Sequence, residues 1–362
     1  MKALLLSAPG ELAVVDVETP VPGPGEVRVR VAACGICGSD VHGFTGSTGR
    51  RIPPLVMGHE AAGTIDAVGV GVHDLPVGTR VALDSTVFCG GCRHCREGRE
   101  NLCTDRQVLG VSCGTYRRHG CFAEYVVVPR RVAYPIPAAV DFLSAALLEP
   151  LTIALHAVNL GGVGPATRSA VVVGCGTIGL AVIASLRARG VPRIAAIDVA
   201  TDRLETARRM GAAATFAAAA ADGSAAEAAA VGAQAAAWGV ADADADGADV
   251  VIEAVGSTSA VRTSVAAATR GGTVVLVGNV CPAIDLPLQA VVTRQLRLQG
   301  SCSSAGCYPE AIRLVAEGRV DLSGFVSRVA PLAEGVSWFD RLHHREPGLV
   351  KVVLEPSAGD RA

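Results

Sequence analysis

Four cysteines fall within fifteen residues of this chain, and their spacing limits how that segment can fold. The segment begins Cys89-Gly-Gly-Cys92-Arg-His-Cys95 and ends at Cys103. Four thiolates that converge on one tetrahedral point complete the coordination of a zinc ion and leave no position for water. The spacing therefore predicts a loop that wraps around a closed, structural zinc site.

Two other interpretations of this segment are weaker. Disulfides or scattered core thiols do not require such compact spacing. A zinc ribbon that reads nucleic acid usually has two separated Cys-x-x-Cys pairs, and here the three arginines are offset by Glu97 and Glu100. The whole chain has 32 basic and 34 acidic residues, a net charge of −2. It therefore offers no general polyanion-binding surface, and neither nucleic acid nor a membrane is expected as a partner.

A second set of ligand-type residues lies upstream and mixes thiol, imidazole and carboxylate groups. Its members are Cys34, Cys37, Ser39, Asp40, His42, His59 and Glu60. Each residue alone would more often be a packed core residue than a ligand, but the combination beside a four-cysteine loop favours a metal. A site with three protein ligands leaves a fourth position for water or substrate, where zinc acts as a Lewis acid. This set is therefore predicted to form a catalytic zinc site.

The chain of 362 residues is long enough for two domains, because single hydrophobic cores stop growing at roughly 250 to 300 residues. The first part is predicted to be rich in β-strand, since valines alternate with arginines over residues 27–31. From about Arg168 strands and helices alternate, which predicts a parallel sheet. The alanine-rich stretch 212–245 is interpreted as crossover helices and loops without a site.

The cysteines and the hydropathy bear on compartment. Twelve cysteines, several at ligand-type spacings, suit a reducing cytosol better than a disulfide framework. The mean hydropathy is +0.40, but the most apolar stretch, 170–186, is interrupted by three glycines. A soluble, cytoplasmic protein is predicted. The cysteines outside the two metal sets are interpreted as buried small hydrophobes: Cys113, Cys121, Cys175, Cys281, Cys302 and Cys307.

A glycine motif lies between a predicted strand and a predicted helix, and it reads Gly174-Cys-Gly176-Thr177-Ile178-Gly179. In this setting the glycines make a tight turn, let the backbone approach a pyrophosphate and let the helix pack close to the strand. Asp198 ends the next predicted strand and would accept hydrogen bonds from a ribose 2′-hydroxyl, although it could instead cap a helix. NAD is therefore predicted over NADP, a preference that Arg203 could soften.

Together these motifs resemble those of the zinc-containing medium-chain dehydrogenases, the group of alcohol, sorbitol, threonine and butanediol dehydrogenases. The resemblance covers nearly the whole chain and includes Glu149-Pro-Leu151. It implies an α/β fold in which a Rossmann doubly wound parallel sheet is inserted in a β-rich, GroES-like catalytic domain. The zinc-binding catalytic domain would comprise residues 1–155 and 296–362, and the NAD-binding domain residues 156–295.

The resemblance also implies a ligand set for the catalytic zinc ion. Cys37 and His59 would bind it, whereas Cys34 matches a position that is not a ligand. Related enzymes take the third ligand from either of two glutamates, which correspond here to Glu60 and Glu149. One catalytic and one structural zinc ion per chain would follow.

In such a site the zinc ion would polarise the hydroxyl group of the substrate. Asp40 would hold His59 in one tautomer. Ser39 would take the proton of the substrate and pass it through the nicotinamide ribose to His42, which would exchange it with solvent.

The implied activity is NAD-dependent oxidation of a secondary alcohol, a polyol or vicinal diol, to a ketone. Enzymes of the threonine 3-dehydrogenase type and dehydrogenases of phosphorylated polyols are alternatives, and a nucleotide-binding sensor or structural protein is the non-enzymatic one. The chain has Ser301-Cys-Ser-Ser304 where sorbitol dehydrogenases have an Arg-Tyr pair, which argues against sorbitol itself. The resemblance further implies a homodimer or homotetramer.

Overall fold

The computed structural model describes residues 1–218, 225–239 and 246–357. Contacts within the chain separate two compact units, Met1–Glu149 with Ser304–Ala362 and Pro150–Ser303, which we call the terminal unit and the central unit. The domain limits expected from the sequence, at 155/156 and 295/296, remain a prediction about independently folding domains.

The first segment of the terminal unit consists mainly of short strands joined by loops. Its strands are β1 (Lys2–Ala8), β2 (Glu11–Asp16), β3 (Glu26–Gly35), β4 (Leu55–Val56), β5 (Glu60–Val68), β6 (Arg80–Leu83), β7 (Thr86–Val87), β8 (Gln107–Val108), β9 (Val111–Ser112), β10 (Arg117–Arg118), β11 (Tyr125–Pro129) and β12 (Ala133–Pro135). Its helices are α1 (Gly38–Phe44), α2 (Arg93–Arg96), α3 (Phe142–Ala146) and the start of α4 (Leu148–Leu160), with 3-10 turns at Glu100–Leu102 and Arg130–Val132.

The central unit alternates strands and helices. Its strands are β13 (Ser169–Val173), β14 (Arg193–Asp198), β15 (Ala214–Ala217), β16 (Ala248–Glu253), β17 (Ala268–Leu276) and β18 (Arg297–Gly300). Its helices after α4 are α5 (Thr177–Ala188), α6 (Thr201–Met210), α7 (Ala225–Gly239), α8 (Thr258–Ala267) and α9 (Leu288–Thr293). The strands pair in parallel in the order β15-β14-β13-β16-β17-β18. This is the doubly wound order of a Rossmann sheet, so the predicted fold class is confirmed.

The alanine-rich stretch contains a strand that the sequence did not predict. β15 pairs in parallel with β14, and Phe216 lies opposite Ile197. Alanine favours helices, but this preference is weak, and pairing at the edge of an existing sheet overrides it. The interpretation of residues 212–245 as helices and loops alone was therefore wrong for β15. Residues 219–224 and 240–245 of the stretch lie outside the described residues.

The last segment of the chain returns to the terminal unit. It contains α10 (Tyr308–Ala316), β19 (Val326–Pro331), α11 (Gly335–His343) and β20 (Lys351–Glu355), with 3-10 turns at Ser323–Phe325 and Leu332–Glu334. β20 pairs antiparallel with β3, and Leu354 lies opposite Cys34. The main sheet of the unit has the order β12-β6-β5-β3-β20-β19, with β11 also on β3. The first and last segments of the chain therefore share one sheet.

Strand β3 shows how the apolar pattern places the core of the terminal unit. Val27, Val29 and Val31 are fully buried, as their alternation with arginines predicts. In the same core, the ring of Phe122 packs edge-on against Phe339 of α11, at 5.7 Å between ring centroids. The C-terminal end of β3 is buried, and α1 begins at Gly38, three residues after the strand ends. None of the described helices is long and apolar enough to cross a membrane.

Candidate metal and cofactor sites

The turn from β3 into α1 presents the first candidate ligand. Cys37 occupies the N-cap of α1 in an extended conformation, and Asp40 accepts a hydrogen bond from its backbone N–H at 3.3 Å. This local capping geometry fixes the first turn of the helix. Cys37, Ser39 and Asp40 are therefore held in defined positions relative to one another.

Cys37, His59 and Glu60 form one group, in which one candidate ligand atom from each residue lies within 4.8 Å of the others. His59 and Glu60 follow Gly58, which has a φ of +93°. A Cβ on Gly58 would approach Phe122 to 2.8 Å and the sulfur of Cys34 to 2.9 Å. The glycine is thus required for the chain to enter β5 at this place, and Cys34 packs behind the group without belonging to it.

Glu60 has a partner that the sequence did not indicate. Lys351 Nζ donates to both carboxylate oxygens, at 2.8 Å from Oε1 and 2.7 Å from Oε2, and to the carbonyl oxygen of Ile36 at 3.0 Å. Both charged side chains are 2% exposed. Burial works against the charged lysine, but Glu60 and neighbouring acidic groups raise the pKa of Lys351. Gly35 leaves room for the pair, since a Cβ there would lie 2.2 Å from Glu60 Oε2.

Glu149, the other predicted third ligand, lies in the first turn of α4 and is buried. Its Oε1 accepts a hydrogen bond from Ser85 Oγ at 2.7 Å. It is not a member of the group within 4.8 Å. Burial and the nearby charge of Glu60 raise the pKa of Glu149. The structure therefore brings Glu60 closer to Cys37 and His59 than it brings Glu149, and the choice of ligand remains a prediction.

Asp40 lies between two basic side chains. Its Oδ1 is 3.4 Å from His59 Nδ1 and accepts a hydrogen bond from Arg51 Nη2 at 3.0 Å. Burial alone would raise the pKa of Asp40, but His59 and Arg51 together hold it well below its usual range. The position of Asp40 beside Nδ1 leaves Nε2 of His59 for a metal, and the role of Asp40 in fixing the tautomer of His59 remains a prediction. Arg51 was not singled out from the sequence.

The two predicted relay residues lie on the same helix. Ser39 is in the first turn of α1, and its Oγ accepts a hydrogen bond from Arg51 Nη2 at 3.3 Å. His42 is in the last turn and is exposed. The spacing of three residues places both on one side of the helix. Their role as a proton relay remains a prediction.

The donor atoms at this centre fit a divalent cation. Cys37 and the carboxyls of Asp40, Glu60 and Glu149 lie beside the basic side chains of Arg51, His59 and Lys351. Buried polar and ionisable groups need partners, and a sulfur, nitrogen and oxygen donor set with one open position suits zinc.

The four-cysteine segment forms the second group of candidate ligands. The sulfurs of Cys89, Cys92, Cys95 and Cys103 lie within 4.8 Å of one another. Backbone N–H groups point at them, for example from Cys92 to Cys89 Sγ at 3.3 Å. Hydrogen bonds from the backbone of Cys95 and Thr104 lower the pKa of Cys92 to about 5, which favours the thiolate that binds zinc. The geometry suits the predicted closed site.

The glycine turn of the central unit has free space at its middle glycine. Gly174 has a φ of +94°, and a Cβ on Gly179 would lie 1.7 Å from the carbonyl oxygen of Gly174. By contrast, a Cβ on Gly176, the N-cap of α5, would meet no described atom within 4 Å. Thr177 and Ile178 open the helix at this point. The turn therefore offers backbone N–H groups and a helix N-terminus to a phosphate group.

Asp198 ends β14 beside this turn and is 7% exposed. Its Oδ2 accepts a hydrogen bond from Cys175 N–H at 2.6 Å, and its Oδ1 accepts one from Ala200 N–H at 2.9 Å. The carboxylate thus braces the turn, and each oxygen retains a further acceptor position. Arg203 lies in α6 and is partly exposed. Contact of Asp198 with a ribose remains a prediction.

The remaining cysteines divide into two classes. Cys121, Cys175 and Cys307 are buried, as predicted. Cys281 and Cys302 are exposed and Cys113 is half-buried, so the expectation of buried hydrophobes was wrong for these three. They lie in loops, where residue type alone does not determine burial.

Two family models match the chain. The alcohol dehydrogenase GroES-like domain matches residues 23–138, and the zinc-binding dehydrogenase domain matches residues 177–317. The D-xylulose reductase A of Aspergillus niger is 34% identical over 90% of this chain and 89% of its own length.

Solved structures agree with this match. An alcohol dehydrogenase from Escherichia coli, in complex with NADH, has a TM-score of 0.87 and 30% identity and covers 98% of this chain and 99% of its own. A zinc-binding dehydrogenase from Sinorhizobium meliloti, bound to NADP, has a TM-score of 0.83 and 33% identity with the same coverage. With its β-rich terminal unit, its Rossmann sheet and its two candidate zinc sites, the chain belongs to the family of zinc-containing medium-chain dehydrogenases.

Proposed function

We propose that this protein oxidises a secondary alcohol, a polyol or a vicinal diol, to a ketone and transfers the hydride to NAD. The observation that carries the proposal is the group of Cys37, His59 and Glu60, whose ligand atoms lie within 4.8 Å of one another in a centre rich in acidic groups. The D-xylulose reductase among its relatives supports a polyol substrate.

Cys37 and His59 would hold a catalytic zinc ion, with Glu60 or Glu149 as the third ligand. When bound, this ion supplies a Lewis acid that polarises the substrate hydroxyl. Asp40 keeps the imidazole of His59 oriented from the Nδ1 side. Of the two glutamates, Glu60 is held by Lys351 and Glu149 by Ser85, so each carboxylate is kept near the centre by its own buried partner.

In this proposal Ser39 accepts the proton of the substrate hydroxyl on its Oγ. At the same time it releases its own hydroxyl proton toward His42. His42 exchanges the proton with solvent, which its exposed position at the end of α1 permits. The ketone and NADH are then released.

We further propose NAD as the preferred cofactor, bound at the turn that contains Gly174, Gly176, Thr177, Ile178 and Gly179. Asp198 would repel the 2′-phosphate of NADP. The similar solved structures do not decide between NAD and NADP, because one of them holds NADH and another holds NADP. A structural zinc ion at Cys89, Cys92, Cys95 and Cys103 would complete the holoenzyme, and a homodimer or homotetramer is expected.

A spectrophotometric screen tests the proposal. Purified, zinc-loaded protein is mixed with NAD or NADP and a panel of polyols, vicinal diols, phosphorylated polyols and threonine. Formation of NADH with a polyol or diol supports the proposal, whereas activity confined to threonine or to phosphorylated substrates favours those alternatives. A protein that binds NAD but oxidises none of them would indicate a sensor or structural role.

A further inference from the structure

Arg51 is a buried cation beside the candidate catalytic centre, and neither the motifs nor the proposed mechanism uses it. Its side chain is 5% exposed. One nitrogen, Nη2, donates both to Asp40 Oδ1 at 3.0 Å and to Ser39 Oγ at 3.3 Å. The guanidinium therefore touches the residue that orients His59 and the residue that is to receive the substrate proton.

The chain fixes Arg51 from both ends. The backbone on either side of it is hydrogen-bonded to Ser112, whose N–H donates to Arg50 and whose carbonyl accepts from Ile52. The side chain crosses α1 at Gly43, where a Cβ would lie 2.2 Å from Arg51 Cγ. A glycine inside a helix costs stability relative to alanine, and here its missing side chain is what admits Arg51.

We propose that Arg51 is a positioning residue of the catalytic centre, which orients the hydroxyl of Ser39 and shares the carboxylate of Asp40 with His59. A serine hydroxyl has one proton to donate and two acceptor positions. When Arg51 fills one acceptor position, a single acceptor remains for the substrate hydroxyl, and the proton of Ser39 is left to leave by the other side. The proton path through Ser39 then has one direction.

The shared carboxylate has a second consequence, which concerns the metal rather than the proton. Removal of Arg51 takes a positive charge away from a place that is to bind a dication. It also leaves the charge of Asp40 directed at His59 alone. Both changes strengthen zinc binding at the open site, by roughly threefold to tenfold. Simple mispacking after the loss of a buried side chain would weaken it.

The test compares Arg51→Met, Arg51→Lys and Gly43→Ala with a control, Arg50→Met, whose side chain is exposed. Zinc affinity is measured by competition with a chromogenic chelator, and the open site is identified as the phase that His59→Ala lacks. We expect Arg51→Met to bind this zinc more tightly while its kcat falls on the order of tenfold to a hundredfold. Arg51→Lys, which keeps the charge, should retain the zinc affinity of the wild type and recover part of kcat.

Gly43→Ala serves as the second route, because the added methyl group displaces Arg51 without altering any charged residue. It should lower kcat as Arg51→Met does, although alanine is the better helix former. If Arg51→Met and Gly43→Ala keep the kcat of Arg50→Met, or if Arg51→Met binds the zinc ion more weakly, the positioning role is wrong.

The inference rests on the proposed function, but different results would overturn the inference and the proposed function. A wild type that oxidises no alcohol overturns the proposed function, while the zinc comparison still decides whether Arg51 is coupled to the His59 site.

Discussion

Lys351 Nζ lies 2.7 Å from Oε2 and 2.8 Å from Oε1 of Glu60, and the two residues are 291 positions apart in the chain. The pair exists because β20 returns from the C-terminal segment to lie beside β3. Truncating one partner of a buried ion pair leaves an uncompensated charge, which is far more costly than the loss of an exposed pair.

Lys351→Met should therefore lower the free energy of unfolding by about 3–5 kcal/mol in the metal-free protein. Zinc should restore part of this loss, because a bound cation compensates the negative charge of Glu60 in place of Lys351. Lys2→Met breaks the exposed pair with Asp16 and should change stability by less than about 1 kcal/mol. Urea unfolding with and without zinc measures both. Equal losses in the two variants would contradict the account of the buried pair.

The two zinc sites should respond differently to mutation. Cys95→Ser opens the closed site and should reduce thermal stability strongly, since structural zinc contributes directly to folding. His59→Ala should abolish alcohol oxidation and remove only one of two zinc ions, with the fold retained. Elemental analysis and thermal unfolding of each variant check this. One zinc ion or none in active wild-type protein would contradict the scheme.

Asp198→Asn should narrow the preference for NAD over NADP without loss of zinc. Asparagine removes the charge that repels a 2′-phosphate and keeps an oxygen that can accept from Cys175 N–H, a hydrogen bond of 2.6 Å in the wild type. Asp198→Ala removes both and should weaken binding of either cofactor. The ratio of kcat/KM for the two cofactors is the measurement, and an unchanged ratio in Asp198→Asn would place the carboxylate away from the ribose.

Asp84 predicts a pH dependence of the free energy of unfolding. Burial raises its pKa from 3.8 to about 8, so the folded protein holds a proton that the unfolded chain releases above about pH 4. The free energy of unfolding should then fall as the pH rises from about 4 to about 8, by up to about 6 kcal/mol. Asp84→Asn should flatten this slope and keep the acceptor for Thr86 N–H. The exposed Asp16→Asn serves as the control and should leave the slope in place.

The relay can be tested at its outer end. His42→Ala should slow alcohol oxidation with no loss of zinc, and added imidazole should restore part of the rate because the side chain is exposed. Ser39→Ala should be slower still and should resist rescue. Full activity of His42→Ala would mean that the proton leaves by another route, for instance through water near Glu60 and Glu149.

The sequence was most informative where function depends on local spacing. The cysteine loop, the Cys37 turn and the glycine motif each lie within one short segment, so their residue types and intervals carry the chemistry. Three buried partners of these residues could not be found from local spacing, because only tertiary contacts bring them to the site. They are Lys351 beside Glu60, Arg51 beside Asp40 and Ser85 beside Glu149. The edge strand β15 was missed because its alanines favour helix, and pairing with β14 decides its conformation.

The central claim is tested most directly by one comparison of NADH formation. Wild-type protein and His59→Ala, both with zinc retained at the four-cysteine site, are supplied with NAD and the panel of polyols and vicinal diols. The account predicts alcohol-dependent NADH formation in the wild type and none in His59→Ala. Oxidation of a polyol or diol by His59→Ala at the wild-type rate, or no oxidation of any alcohol by the zinc-loaded wild type, would contradict it.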